Sequence, residues 1–479
     1  MSGGVQRIRV IGGGLAGPEA ALTAASLGCE VELYEMRREV DGKAILTPAH
    51  QTTEFGELVC SNSLKSESPN TAPWLLKQEM RRAGSRLLAL ADATAVPAGH
   101  ALAVDRVEFS RRIAEAIAAE PLIRVIREEV TSLASGLDPD GDALTIVASG
   151  PLTSDALSQE IARLTGAEHL AFYDSISPIV DAETIDMDRV YFAARWDKGT
   201  ADYINCPMTR EEYEVFLNAL ITAEEAESRE WEKAEYFPPH SPETGERGPR
   251  YFEGCLPIEI LARRGPDTLR FGPMKPVGLR DPRTGKTPWA VVQLRKENLR
   301  ADSYNLVGFQ NHLKFGEQAK VLRLIPGLEN AKFLRYGQIH RNTYICSPRL
   351  LDDRLRLREH PAIFFAGQIS GVEGYTESIA SGLLAGLYAS TVARGEEPVA
   401  VPRGTALGSL MNYITQADPK HFQPANITFD LLLPLEEETR RKVRDKKERH
   451  RIVCERALMA FDGWWASFTA GADIVGAGV

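Results

Sequence analysis

The stretch Arg7-Ile8-Arg9-Val10-Ile11-Gly12-Gly13-Gly14-Leu15-Ala16-Gly17 decides the fold. A short apolar run ends in three glycines, and a fourth follows at Gly17. Pro18-Glu19-Ala20-Ala21-Leu22-Thr23-Ala24-Ala25 then reads as helix, and Val31-Glu32-Leu33-Tyr34 reads as a second strand ending at Glu35. Gly12-x-Gly14-x-x-Gly17 between a strand and a helix, with an acidic residue after the next strand, is a dinucleotide-binding fingerprint. Gly12 allows the tight turn, Gly14 lets the backbone approach a pyrophosphate, and Gly17 lets helix and strand pack closely. Gly13, Leu15 and Ala16 complete the same turn. The N–H groups and dipole at the helix start attract phosphate, and Glu35 is placed to accept hydrogen bonds from a ribose.

Outward from this stretch the pattern stays α/β to about residue 180. Residues 74–92 read as helix interrupted at Gly84, and 108–120 as another helix. Residues 122–127 and 144–148 read as strands, and 153–164 as helix. Residues 41–67 read as a loop too long and too polar for a mere connection, and such loops are usually functional. Thr209-Arg210-Glu211-Glu212 is a capping box that opens an acidic helix running to about residue 235. The α/β character returns after about residue 300.

A second glycine-rich turn lies far from the first. Pro361-Ala362-Ile363-Phe364-Phe365-Ala366-Gly367-Gln368-Ile369 reads as strand and turn. Gly371-Val372-Glu373-Gly374-Tyr375-Thr376-Glu377-Ser378 then leads into a helix of small residues. Two such turns suit a dinucleotide with two ends to hold, which favours FAD over NAD. The late helix start, with Gly367, Gln368, Gly374, Tyr375 and Thr376, would meet the isoalloxazine end. The competing reading is a turn that serves only close packing.

At 479 residues the chain supports two or three structural units. No apolar run reaches the ~18 residues of a membrane span, and the early first strand argues against a signal peptide. Six cysteines are scattered without a CxxC pair, which points to a reducing, cytoplasmic setting and to no metal site. Cys29, Cys206, Cys346 and Cys454 read as packed. Cys60 and Cys255 lie in turn-rich, polar stretches and are the candidate reactive thiols. The net charge of −10 hides segregation: residues 247–300 carry twelve Lys or Arg against five Asp or Glu, and a second basic run spans 440–451. Either run alone reads as a solvated face; together they point to a phosphate-rich partner.

Several blocks together resemble the bacterial folate- and FAD-dependent tRNA uracil-5-methyltransferases, the TrmFO family, over nearly the whole chain. They include Gly12 to Ala20, Glu57-Leu58-Val59-Cys60-Ser61-Asn62-Ser63-Leu64, Ala171 to Val180 and Asn205-Cys206-Pro207-Met208-Thr209. They continue with Phe252-Glu253-Gly254-Cys255-Leu256-Pro257-Ile258-Glu259, Gly272 to Leu279, His340 to Tyr344, Gly367 to Ser378 and Phe429 to Leu435. Departures are an extension around 135–142 and the tail after Phe468. The resemblance implies a Rossmann-like, glutathione-reductase-type FAD domain with an inserted smaller α/β domain. Residues 1–187 would form the first part of the FAD domain and 188–300 the insertion. Residues 301–479 would form the second part, with C-terminal helices.

The resemblance further implies that 5,10-methylenetetrahydrofolate donates a methylene to uracil C5, with FAD as relay and reductant and NADPH or NADH reducing the flavin. Cys255 would add to C6 as nucleophile. Cys60 would handle the carbon on the flavin or remove the C5 proton, and Tyr375 would stack beside flavin, folate or base. The target would be uridine 54 in the T-loop of the tRNA elbow, flipped out for reaction and held by the basic residues of 247–300 and 440–451. No membrane, metal or obligate protein partner is expected. Alternatives are a related wobble-uridine-modifying enzyme that works with a GTPase, a small-molecule FAD oxidoreductase, and a non-catalytic tRNA-binding flavoprotein.

Overall fold

The computed structural model describes residues 7–47, 49–133, 143–166, 170–175, 177–197, 200–226, 256–337 and 339–471. Its first sheet has six strands in the order Arg356–Leu357, His360–Phe365, Ala143–Val147, Arg7–Ile11, Val31–Tyr34, Ile123–Ile126. All neighbours are parallel except the Arg356–Leu357 edge. Register explains why this sheet makes a site. Ile11 lies opposite both Tyr34 and Val147, and Val147 lies opposite Phe365. The four strands therefore end level, and Gly12, Glu35, Ala148 and Ala366 leave from one edge. Ligands of open parallel sheets bind outside that carboxyl edge.

Helix Ala16–Ser26 follows the first strand and packs on helix Tyr375–Ala393. The small residues of the later helix permit this. A Cβ on Gly382 would collide with the Ala16 carbonyl, and one on Gly386 would sit 2.8 Å from the Ala20 carbonyl oxygen. The helix expected over 74–92 is two helices, Ala72–Arg82 and Arg86–Ala93, with Gly84 at positive φ between them. Their buried Leu75, Leu76, Met80, Leu87 and Leu88 join the main core.

Residues 170–175 and 339–344 form an antiparallel pair leading out to a second sheet and back. That sheet is antiparallel, in the order Tyr191–Ala193, Tyr203–Met208, Ala290–Lys296, Ser303–Leu306, Ile179–Asp181, Phe333–Arg335. Strands flanking the 188–300 segment thus complete it, around a separate apolar core. The capping box closes as expected: Thr209 and Glu212 each accept from the other's backbone N–H. Its helix, Arg210–Thr222, stops short of residue 235. Glu224 and Ala226 instead pair by backbone with Lys314 and His312, and this tertiary pairing overrides helix propensity. Residues 227–255, including Cys255, lie outside the described residues.

Candidate active site

At the carboxyl edge, Gly12 has φ +116°, and a Cβ there would collide with the Ala148 carbonyl oxygen. Only glycine adopts that turn without strain. A Cβ on Gly17 would strike the Gly12 carbonyl, whereas one on Gly14 would meet nothing within 4 Å. Gly12 and Gly17 thus shape the turn, and Gly14 faces open space. Leu15 precedes helix Ala16–Ser26 without a side-chain cap, so the helix N-terminus keeps its attraction for an anion.

Glu35 is buried. Its Oε2 accepts from Gly13 N at 2.7 Å, and its Oε1 accepts from Arg37 N at 2.8 Å and Arg37 Nε at 3.1 Å. Burial works against its charge, but Arg37 more than offsets burial and holds the carboxyl below its ordinary value. The Arg37 guanidinium also reaches Glu57 at 3.5 Å. Sequence reading missed Arg37, although it stands two residues past the acidic end of the fingerprint.

The late turn faces the same space. The cleft, about 980 Å³ with its open mouth, is lined by Gly12 to Ala16, Glu35 and Arg37 and also by Gly367, Gln368, Tyr375 and Ser378. Gly374 (φ +108°) starts helix Tyr375–Ala393, again without a side-chain cap. A Cβ on Gly374 would sit 2.5 Å from Glu377 Oε2 and 2.7 Å from Lys65 Nζ. Gly17, Gly374 and Thr376 stand behind the lining and support it.

The Cys60 loop docks on this helix start. The Tyr375 hydroxyl accepts from Cys60 N at 2.8 Å and Ser61 N at 3.2 Å. Thr376 donates to the Leu64 carbonyl at 3.0 Å, and Lys65 pairs at 2.7 Å with the fully buried Glu377. Gly56 N donates to the Gly13 carbonyl at 3.0 Å, which ties the loop to the fingerprint turn. Burial, and then the neighbouring Cys60 thiol, push the Tyr375 phenol well above its ordinary value, so it stays protonated.

Two guanidiniums also belong here, and no sequence signal marked them. Arg106 donates to the Leu58 carbonyl at 2.7 Å and pairs with the buried Glu297 beyond the end of strand Ala290–Lys296. Arg335, in the second sheet, donates to the Ala49 carbonyl at 3.0 Å. Burial opposes the charge on both; for Arg106, Glu297 and then Tyr375 and Cys60 restore it. Asn62 joins the two units from the loop, donating to the Lys296 carbonyl at 2.9 Å. Cys29, Cys206, Cys346 and Cys454 are buried, and burial pushes the Cys206 and Cys346 thiols up and Cys454 up to about 12. Among the described residues no group of three or more His, Cys, Asp or Glu could hold a metal, and no helix is long and apolar enough to cross a membrane.

Residues 7–397 match the family described as Glucose inhibited division protein A. The chain has the fold of Aquifex aeolicus GidA: TM-score 0.64 at 16% identity, covering 96% of this chain and 73% of that one. It is 67% identical to the methylenetetrahydrofolate–tRNA-(uracil-5-)-methyltransferase TrmFO of Koribacter versatilis, over 96% of this chain and 98% of that protein. To the protein of the same name from Solibacter usitatus it is 60% identical, over 95% and 98%. With two glycine turns on one cleft, a cysteine loop clamped between them, and this identity along nearly its whole length, the chain belongs to the TrmFO family of methylenetetrahydrofolate–tRNA-(uracil-5-)-methyltransferases.

Proposed function

We propose that this chain makes 5-methyluridine at position 54 of the tRNA T-loop, in the cytoplasm, with methylenetetrahydrofolate as carbon donor and NADPH or NADH as reductant. The observation that carries the reading is the single cleft onto which two uncapped helix N-termini, Gly14 and the docked Cys60 loop converge.

The residues fit FAD. Gly14 leaves the room a pyrophosphate needs, and the start of helix Ala16–Ser26 attracts its charge. Gly367, Gln368 and Tyr375 line the same cleft, where the ring end would lie. When bound, FAD supplies the electrons that convert a transferred methylene into a methyl group. The protein's own part is to activate uracil, whose C5 is a poor nucleophile. Cys255 adds through its thiolate to C6, and C5 becomes an enolate carbon able to attack the one-carbon electrophile. Cys60 serves as the second thiol, taking the C5 proton or assisting the carbon transfer. Tyr375 holds it by accepting from its backbone N–H, and as a protonated phenol it carries no charge to repel a thiolate.

The test uses the purified protein, NADPH, methylenetetrahydrofolate and an unmodified tRNA transcript. 5-Methyluridine at the T-loop position is the expected product. FAD-loaded protein that yields none would overturn the assignment and leave the fold intact. Trapping on tRNA containing 5-fluorouracil should give a covalent adduct that Cys255→Ala abolishes; an adduct that survives removes Cys255 from the nucleophile's role.

A further inference from the structure

Trp196 stands apart from both cores. It is 63% exposed and has φ 61° and ψ 23°, a left-handed backbone that is unfavourable for a bulky residue. Strain of this kind persists only where the surroundings over-determine it. Here they do. Trp196 N donates to the Gly278 carbonyl at 2.7 Å, and a Cβ on Gly278 would lie 2.8 Å from the indole, so that position must stay bare for the ring. Arg195 braces the turn through Gln293 at 3.0 Å and the Val277 carbonyl at 2.7 Å. A large apolar ring is thus held rigidly in water, which packing does not explain.

Its surroundings carry charge. Lys275 and Arg280, three and two residues from Gly278, are exposed and enter no ion pair among the described residues. Arg283 pairs with Asp281, and Asp197 adds one exposed carboxylate beside the ring. The turn follows edge strand Tyr191–Ala193, and Ala193 pairs with Tyr203. At the same end of the sheet, Ile204 pairs with Leu294, close to Lys296 and Glu297, which hold the Cys60 loop. A rigid exposed aromatic next to unpaired cations is the footprint of a protein that binds unstacked nucleic-acid bases.

We propose that Trp196 is a stacking platform for a nucleobase of the RNA substrate, with Lys275 and Arg280 taking adjacent phosphates. The inference rests on the tRNA-modifying reading above and adds to it a specific contact on the second sheet. Extrusion of a target base leaves neighbouring bases without stacking partners, and an indole face can replace one.

The test measures binding of an unmodified tRNA transcript to the full-length protein over a series of salt concentrations. Trp196→Gly is the decisive variant, because it removes the ring and relieves the backbone strain, so weaker binding cannot come from a misfolded turn. Expected are a melting temperature no lower than the parent's, a Kd raised roughly 5- to 100-fold, and an unaltered salt slope. Trp196→Phe should recover most of the affinity. Lys275→Ala and Arg280→Ala should each lower the salt slope by about one. Parent-like affinity in Trp196→Gly overturns the platform, whether or not the protein methylates tRNA. A change in oligomeric state at parent-like affinity also overturns it, in favour of a docking face for a second copy. A parent protein that binds tRNA through Trp196 but forms no 5-methyluridine would instead sink the proposed reaction and keep the platform.

Discussion

The fingerprint turn and the Cys60 loop meet in one cleft, yet they are built in opposite ways. The turn is held mainly by its own strand–helix–strand unit: Gly12 under Gly17, and Glu35 on Gly13 and Arg37. The loop is held from far along the chain. Tyr375 is 315 residues from Cys60, and Glu377 is 312 from Lys65. Arg106, at the start of helix Arg106–Ala118, donates to the Leu58 carbonyl and pairs with Glu297 at the second sheet's end. The difference teaches a division of labour: local geometry can hold a cofactor, while reactive groups require the assembled fold.

If that division holds, the two regions can be broken separately. Cys60→Ala should abolish product formation, by about 1,000-fold or more, because in the proposed reaction the second thiol has no substitute. The same variant should purify with its full complement of flavin, read from the visible absorbance. Flavin loss together with activity would mean that loop and turn are one unit and would end the comparison.

The next effect falls on the clamp. Lys65→Met leaves the Glu377 carboxylate fully buried without its cation, a change that costs about 3–5 kcal/mol in comparable buried pairs. Denaturant unfolding should show the loss. Met over Leu at this position keeps the stem length, so packing changes little. A loss under 1 kcal/mol would show that Ile427 N, which donates to Glu377 Oε1 at 3.1 Å, carries the site by itself. Tyr375→Phe is milder. It strips the acceptor from Cys60 N and Ser61 N, leaving two part-buried donors at ~1–3 kcal/mol for such a loss. Turnover should fall roughly tenfold at unchanged flavin content, since the loop loses its placement and the cofactor does not.

What the sequence made legible follows the same line. Gly12, Gly14, Gly17 and Glu35 were readable because each acts within one βαβ unit, where spacing encodes geometry. The late turn was readable as a second glycine-rich strand–turn–helix, and strand register then brings it level with the first. Gly382 and Gly386 do serve close helix packing, so the packing reading of that helix holds alongside the cleft-lining one. Arg106, Arg335 and the Tyr375-to-Cys60 hydrogen bond were not readable. A guanidinium that acts across a domain boundary leaves no periodicity and no spacing, and an arginine in an amphipathic helix reads as surface. The helix expected to reach residue 235 failed for the same reason, since pairing with residues 312–314 is a tertiary event.

The last effect concerns the frame behind both regions. Glu79 is fully buried and accepts from Ala406 N at 2.7 Å and Leu407 N at 2.8 Å, capping helix Ala406–Gln416 from a distance. Burial pushes its carboxyl up to about 8 against the pull of those two N–H groups. Because this value lies above the ordinary 4.5, the folded chain binds the proton more tightly than the unfolded chain does. The carboxyl's contribution is therefore fully present below about 4.5 and is lost as the pH rises through about 8. Melting temperature should decline over that window more steeply in the parent than in Glu79→Gln, whose amide does not ionise. Glu19, capping helix Arg86–Ala93 and pushed by burial up to about 7, should add to the decline and complete it at lower pH. Equal slopes in parent and Glu79→Gln would show that the two N–H groups outweigh burial and keep Glu79 ionised. Flavin content should stay constant across the same range, because Glu35 is held in the opposite direction by Arg37 and keeps its charge.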